Sequence, residues 1–186
     1  MNNFLKGLVA VALSLTLGTV QAAEMQWIDA THLFDAQVKK LTKNVKIESK
    51  SDFAKRHKAP APVVKEYKVG DVETFWTKNI ASDKFEQIQA TCKAIGENCL
   101  VFLQNGKTVS DKALANVQKS FDEKIYSTNT KTFGQEWKPG VDGDNRITLL
   151  LFDIQDGFNG TGGYVGGYFF AGDEFLQSQI PAQYDV

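Results

Sequence analysis

The chain has 186 residues, 42% of them hydrophobic and 23% charged, the balance of an ordinary soluble globular protein. Its formal net charge is -1, which points neither to nucleic acid nor to an anionic membrane surface as a partner.

The first stretch stands apart. Met1 to Lys6 is a short positive start, Gly7 to Leu17 is apolar, and Val20-Gln21-Ala22 supplies the small residues a signal peptidase reads. The pattern predicts a secretory signal peptide over residues 1–22, cut after Ala22 or Ala23. A membrane anchor is the competing reading, but the apolar run is too short to cross about 30 Å of hydrocarbon at about 1.5 Å per residue. The expected location is therefore secreted or periplasmic, with no membrane attachment once the leader is gone. Losing Lys6 and no acid leaves the rest one charge more negative.

Residues 23–62 read as a pro-region and linker. Leu33, Phe34, Val38 and Leu41 have the spacing of one helix face, so a short amphipathic helix is predicted within Trp27 to Leu41. Lys39 to Lys58 is dominated by Lys and Arg, and Lys58-Ala-Pro-Ala-Pro62 ends it. Proline lacks a ladder donor and biases its predecessor to extended geometry, so a solvated linker is expected. An exposed processing site is the sharper alternative.

Residues 63–106 read as a small antiparallel β unit. Val63 to Val69, Glu73 to Ile80, Phe85 to Ala94 and Cys99 to Gln104 are β-leaning runs separated by Gly70-Asp71, Ser82-Asp83 and Gly96-Glu97-Asn98. In an exported chain, a hairpin around Gly96 would let Cys92 and Cys99 face each other, and a disulfide is expected.

In residues 107–186, Ser110 has the chemistry of a helix N-cap, with Asp111 in the first turn. Ala113, Leu114, Val117, Phe121 and Ile125 form one apolar face, which predicts a helix from Asp111 to Tyr126. It should lie against Ile147 to Ile154, a short apolar run bounded by turn residues that fits a strand buried on both faces. A Gly-rich loop and a β-leaning segment, Tyr164 to Phe170, follow.

Three kinds of chemistry lack their residues. His32 and His57 are the two histidines, and there is no His-x-x-x-His, so zinc of the usual kind has no ligand set. No nucleophile turn supports a Ser-His-Asp triad, and the glycines of Gly157 to Gly167 lead into no Lys-Ser/Thr ending. The acidic turns are the remaining polar constellation. Asp142 and Asp144 precede the apolar run and Asp153 and Asp156 follow it; together they could supply oxygen to calcium. Plain turn chemistry competes, because Asp, Asn and Gly are also the default turn residues. Gly162-Gly163-Tyr164-Val165-Gly166-Gly167-Tyr168 permits close backbone approach, as at an edge, at a bulge or beside another backbone. An extended peptide could add there as a strand; a flexible hairpin tip is the alternative.

Several motifs occur in one order: Lys124-Ile-Tyr126, Phe133-Gly-Gln-Glu-Trp137, Pro139-Gly-Val-Asp-Gly-Asp144, Arg146 to Ile154, and Gly166-Gly-Tyr-Phe169 through Asp173-Glu174. In this order they resemble the entry to the catalytic domain of secreted, hyicolysin-type zinc metallopeptidases, and Val69 to Gln104 is similar to the region upstream. The resemblance implies an α+β fold: a small antiparallel β unit, then a partial zincin-like domain of backing helix, buried strand and edge strand. It implies a peptide or protein substrate beside the edge, at Gly166, Gly167, Tyr168 and Phe169. It also implies zinc in complete members, held by a His-Glu-x-x-His helix. No position here matches that helix, so no catalytic residue carries over. The expectation is an N-terminal part, inactive by itself. The alternative is an exported, non-catalytic module that binds a peptide or a peptidase. A calcium-stabilised adhesion domain fits the helix and buried strand poorly.

Overall fold

The computed structural model describes residues 25–45, 65–136, 138–175 and 184. The predicted leader and most of the predicted linker, His57 included, lie outside the described residues. The fold is α+β, as the sequence leads one to expect.

Its body is one four-stranded sheet in the order β2-β3-β4-β5: β2 (Val72–Asn79), β3 (Lys84–Ile95), β4 (Cys99–Gln104) and β5 (Ile147–Leu151). The first three strands form an antiparallel meander, and β5 returns parallel to β4, with Cys99 opposite Ile147 and Leu103 opposite Leu151. A parallel neighbour needs a crossover, and the helical segment supplies it. That segment is α2 (Asp111–Ser120), a π-helical turn (Phe121–Ile125) and α3 (Tyr126–Phe133). Ser110 caps α2 as expected, its Oγ accepting from the Ala113 amide at 3.3 Å.

The helical segment runs past its expected end at Tyr126. No residue of α3 is buried, so core packing does not carry the extension. Threonine hydroxyls line it instead: Thr128 donates to the Lys124 carbonyl at 2.8 Å, Thr130 to Tyr126 and Thr132 to Thr128, each at 2.9 Å. Gly134, at φ 91°, then turns the chain out of the helix, its amide donating to the Thr130 carbonyl.

The sheet is covered on both faces at its centre. Ala90, Cys92, Leu100 and Phe102 form one core with Tyr67, Phe75, Ile95 and Leu150 against it. Cys99, Val101 and Leu114 form the other, with Val117, Phe121, Leu149 and Leu151. The helix α2 packs over β3 and β4 and not, as predicted, chiefly over the Ile147 strand; that strand shares the same core through Leu149 and Leu151. That strand is nevertheless at the sheet edge, and all five of its residues are only half-buried, short of the two-sided burial expected.

The expected disulfide is absent: Cys92 and Cys99 are free thiols. Glu97 and Asn98 form a two-residue loop, with the Gly96 amide donating to the Cys99 carbonyl at 2.8 Å. In that register Phe102, not Cys99, is opposite Cys92. Side chains alternate faces along a strand, so Cys99 and Phe102 point to opposite sides of β4. Cys92 sits in the Phe102 core and Cys99 in the Leu114 core. The backbone of the sheet separates them.

A second, two-stranded sheet sits beside β2. Here β1 (Gln26–Asp29) runs parallel to β6 (Gly163–Gly167), where the sequence predicts helix from Trp27. A 3-10 turn, Thr31–Phe34, links β1 to α1 (Asp35–Thr42), so only the second half of the predicted helix forms as one. Phe34, buried, meets Tyr168 at 4.9 Å and Phe170 at 5.6 Å between ring centroids, and Phe85 meets Phe170 at 5.1 Å. The Lys78 amide of β2 donates to the Tyr168 hydroxyl at 2.8 Å, fastening the small sheet to the large one.

Candidate functional site

The Gly-rich strand β6 shares a backbone ladder with a distant part of the chain, β1. Tyr164 lies opposite Trp27 and Val165 opposite Ile28; the register then slips, so that Gly167 lies opposite Asp29. Side chains of β1 account for two of the glycines. A Cβ at Gly166 would meet Trp27 Cβ at 3.1 Å, and one at Gly163 would meet Ile28 Cδ1 at 2.8 Å. Past the bulge, the Ala30 amide donates to the Gly167 carbonyl at 2.9 Å. On β6 itself, the Val165 amide donates to Asp156 Oδ2 at 2.6 Å, so that carboxylate pins the loop to the strand.

Gly166, Gly167, Tyr168 and Phe169, singled out from sequence, do come together at an open cleft of about 340 Å³, whose other lining residues are Trp27, Asp29 and Thr31. Their roles differ. Gly166 and Gly167 leave the floor without side chains. Tyr168 is mainly structural, its ring against Phe34 and Phe152 and its hydroxyl accepting from Lys78. Burial pushes the Tyr168 phenol above its ordinary pKa, so it stays neutral at physiological pH. Phe169 and Trp27 are exposed, at 52% and 69%.

Asp29 and Thr31 form the polar rim. The Phe169 amide donates to Thr31 Oγ1 at 3.0 Å, and that hydroxyl donates to Asp29 Oδ1 at 2.6 Å. The Thr31 amide donates to the same oxygen at 2.9 Å. The Thr31 hydroxyl and then its amide hold the Asp29 carboxyl below the usual aspartate pKa, so it is charged at neutral pH. His32 Nδ1 lies 3.1 Å from the Asp29 carbonyl; that oxygen can only accept, so the proton sits on Nδ1.

Sequence reading missed Trp27, Asp29 and Thr31 because the helical spacing of Leu33, Phe34, Val38 and Leu41 was extended back to Trp27. Asp29-Ala-Thr31 carried the contrary signal, since short polar side chains of this kind bond to nearby amides and break regular structure.

The four candidate calcium ligands are not brought together. Asp142 and Asp144 lie before β5, and Asp153 and Asp156 lie after it, at the other end of the strand. Asp144, with its side chain 2% exposed, is taken by Arg146: Nε donates to Oδ1 at 2.9 Å and Nη2 to Oδ2 at 2.7 Å. That guanidinium is the main reason its carboxyl sits below the ordinary range. Asp142 accepts from the Asp144 amide at 3.0 Å, and Lys107 pairs with Asp153 at 2.6 Å. Asp156 accepts from the Phe158 amide at 2.9 Å as well as from Val165. These are turn and ion-pair duties.

Zinc fits no better. The two cysteines point to opposite faces of the sheet. Among the described residues no three His, Cys, Asp or Glu side chains gather as a metal would require. Nor, among them, is any helix long and apolar enough to cross a membrane.

No family model matches the chain. It is similar to the "Neutral metalloprotease ShpI" of Staphylococcus hyicus, with 31% identity over 126 residues. The match takes in 68% of this chain but 28% of that protein, so the chain spans less than a third of the curated relative's length. It places the chain in relationship to a metalloprotease.

Proposed function

We propose that the chain is the N-terminal part of a secreted, hyicolysin-type zinc metallopeptidase, cleaving peptide bonds in its complete form. The observation that carries this reading is the 31% identity with a metalloprotease over 126 residues. In this reading the sheet β2–β5 and the backing helix form the scaffold of a peptidase domain. The β6 edge is where an extended peptide would be held, and β1, from the stretch read as a pro-region, lies along it in this chain. Backbone ladder bonds would give such a peptide affinity without regard to its sequence, and pockets beside the edge would give it selectivity.

The zinc ligands and the water-activating Glu of such an enzyme are not among these 186 residues, since no His-Glu-x-x-His occurs. No hydrolytic step is therefore assigned to any side chain here, and the chain by itself is expected to be inactive. A second reading, an exported binding module without catalysis, is favoured by the open cleft between Trp27 and Phe169.

The nucleotide sequence beyond the Val186 codon separates the two. A frame encoding His-Glu-x-x-His, directly or after one frameshift, supports the peptidase reading. Unrelated sequence behind a clean stop supports the binding module.

A further inference from the structure

The cleft between β1 and β6 has the makeup of a receptor for a basic side chain. Its floor is backbone: a Cβ added at Gly167 would meet nothing within 4 Å, so the space over that residue is open. Its walls are aromatic. Trp27 packs onto Gly166 and still exposes 69% of its surface, and Phe169 exposes 52%. Two exposed rings beside one cleft form a patch of the kind that receives a ligand. Its rim carries one fixed negative charge. Asp29 Oδ1 takes both Thr31 donors, and among the described residues no donor reaches Oδ2.

The geometry points to this cleft as a binding site for an arginine or lysine side chain of an extended peptide. The cation would lie against the faces of Trp27 and Phe169 and pair with Asp29 Oδ2. An aromatic face attracts a cation through its quadrupole, and arginine also stacks flat against it. A neutral aliphatic side chain would gain the same contact area but neither electrostatic contribution. An acidic one would be repelled by Asp29. The carboxylate is held in place before any ligand arrives, because the Phe169 amide, the Thr31 hydroxyl and Asp29 form one hydrogen-bonded line. Little ordering is then left to do on binding. The inference deepens the reading of this edge as a peptide-contact surface by naming the residue class it selects.

The test uses the full chain, labelled with 15N, titrated with acetyl-Ala-Arg-Ala-amide, its norleucine counterpart and its glutamate counterpart. Saturable shifts are expected at the Gly166, Gly167 and Phe169 amides and the Trp27 indole. Arginine should bind about fivefold to tenfold more tightly than norleucine, the combined worth of one exposed cation–π contact and one exposed ion pair. Asp29→Asn keeps an oxygen for Thr31 but removes the charge, and it should cut the arginine preference to the roughly twofold to threefold that the cation–π contact alone supplies. Gly167→Leu should fill the cleft and weaken both. Equal affinity for arginine and norleucine, a preference undiminished in Asp29→Asn, or no shift at these signals would each overturn the assignment. None of those results bears on the metallopeptidase relationship, which the coding sequence beyond Val186 decides.

Discussion

Trp27 lies directly over Gly166, close enough that a methyl group on the glycine would meet the tryptophan Cβ at 3.1 Å. The contact joins the beginning of the described chain to the Gly-rich strand β6, and with the neighbouring ladder it decides what β6 is. A strand that could have presented two free edges has one taken by residues 26–29.

The first prediction concerns that contact. Gly166→Val should overpack it at a cost of about 1–3 kcal/mol, felt in the small sheet. Hydrogen exchange at Ala30, whose amide donates to Gly167, should accelerate, while exchange at Leu103 in β4 should not. Gly167→Ala, with open space above it, should leave both rates near their original values. Equal effects from the two substitutions would contradict the packing described.

A parallel pair with no third strand is weak, since parallel ladders are normally buried in larger sheets. All four residues of β1 are exposed, so Phe34 is its chief anchor. Phe34→Ala should therefore detach residues 25–42, seen as faster proteolysis between β1 and α1, with a small change in the main unfolding transition. Phe102→Ala, at the centre of the large sheet, should cost about 3–5 kcal/mol of global stability. A comparable global loss from Phe34→Ala would make the small sheet an integral part of the core instead.

The thiols give a direct chemical check. Burial, then the charge of Asp122, pushes the Cys99 thiol up to about 11, and burial also raises Cys92. Both stay protonated near neutral pH, and the thiol is the unreactive form. In the folded chain a disulfide-exchange reagent should react slowly with both; in denaturant, without reductant, it should find two thiols. Finding none in denaturant would restore the disulfide that the sequence suggests.

Asp144 should make the fold sensitive to acid. Its pKa is lowered in the folded chain, chiefly by Arg146, so its contribution is fully present above the unfolded value near 3.8 and fades as pH falls below it. Asp144→Asn should lower stability at pH 7 by about 3 kcal/mol, because Arg146 loses the charge it is paired with. The variant should also lose less stability than the parent between pH 5 and pH 3. A parallel decline in the two proteins would rule out this pair as the source.

The large sheet was readable from sequence because its signals are local. Apolar alternation marks β2 and β3, the β-leaning run Cys99–Gln104 marks β4, and Ser110 with the Leu114 face marks α2. What escaped depends on distant partners. The amide of Phe169 and the hydroxyl of Thr31 are 138 positions apart, and nothing near Trp27 announces that a strand awaits it. The cysteine pairing failed on register: the two-residue loop at Glu97-Asn98 sets Phe102 opposite Cys92, and the sequence does not say how tight that loop is. Asp142, Asp144, Asp153 and Asp156 were legible as turn residues but not as ligands, since the strand that separates them decides whether they can meet.

Zinc content, measured together with peptidase activity, tests the central claim most directly. The purified 186-residue chain, equilibrated with zinc and then desalted, should hold far less than one equivalent by elemental analysis and should leave casein intact. One tightly held zinc per chain, with hydrolysis that a chelator abolishes, would mean that these residues build a metal centre of their own.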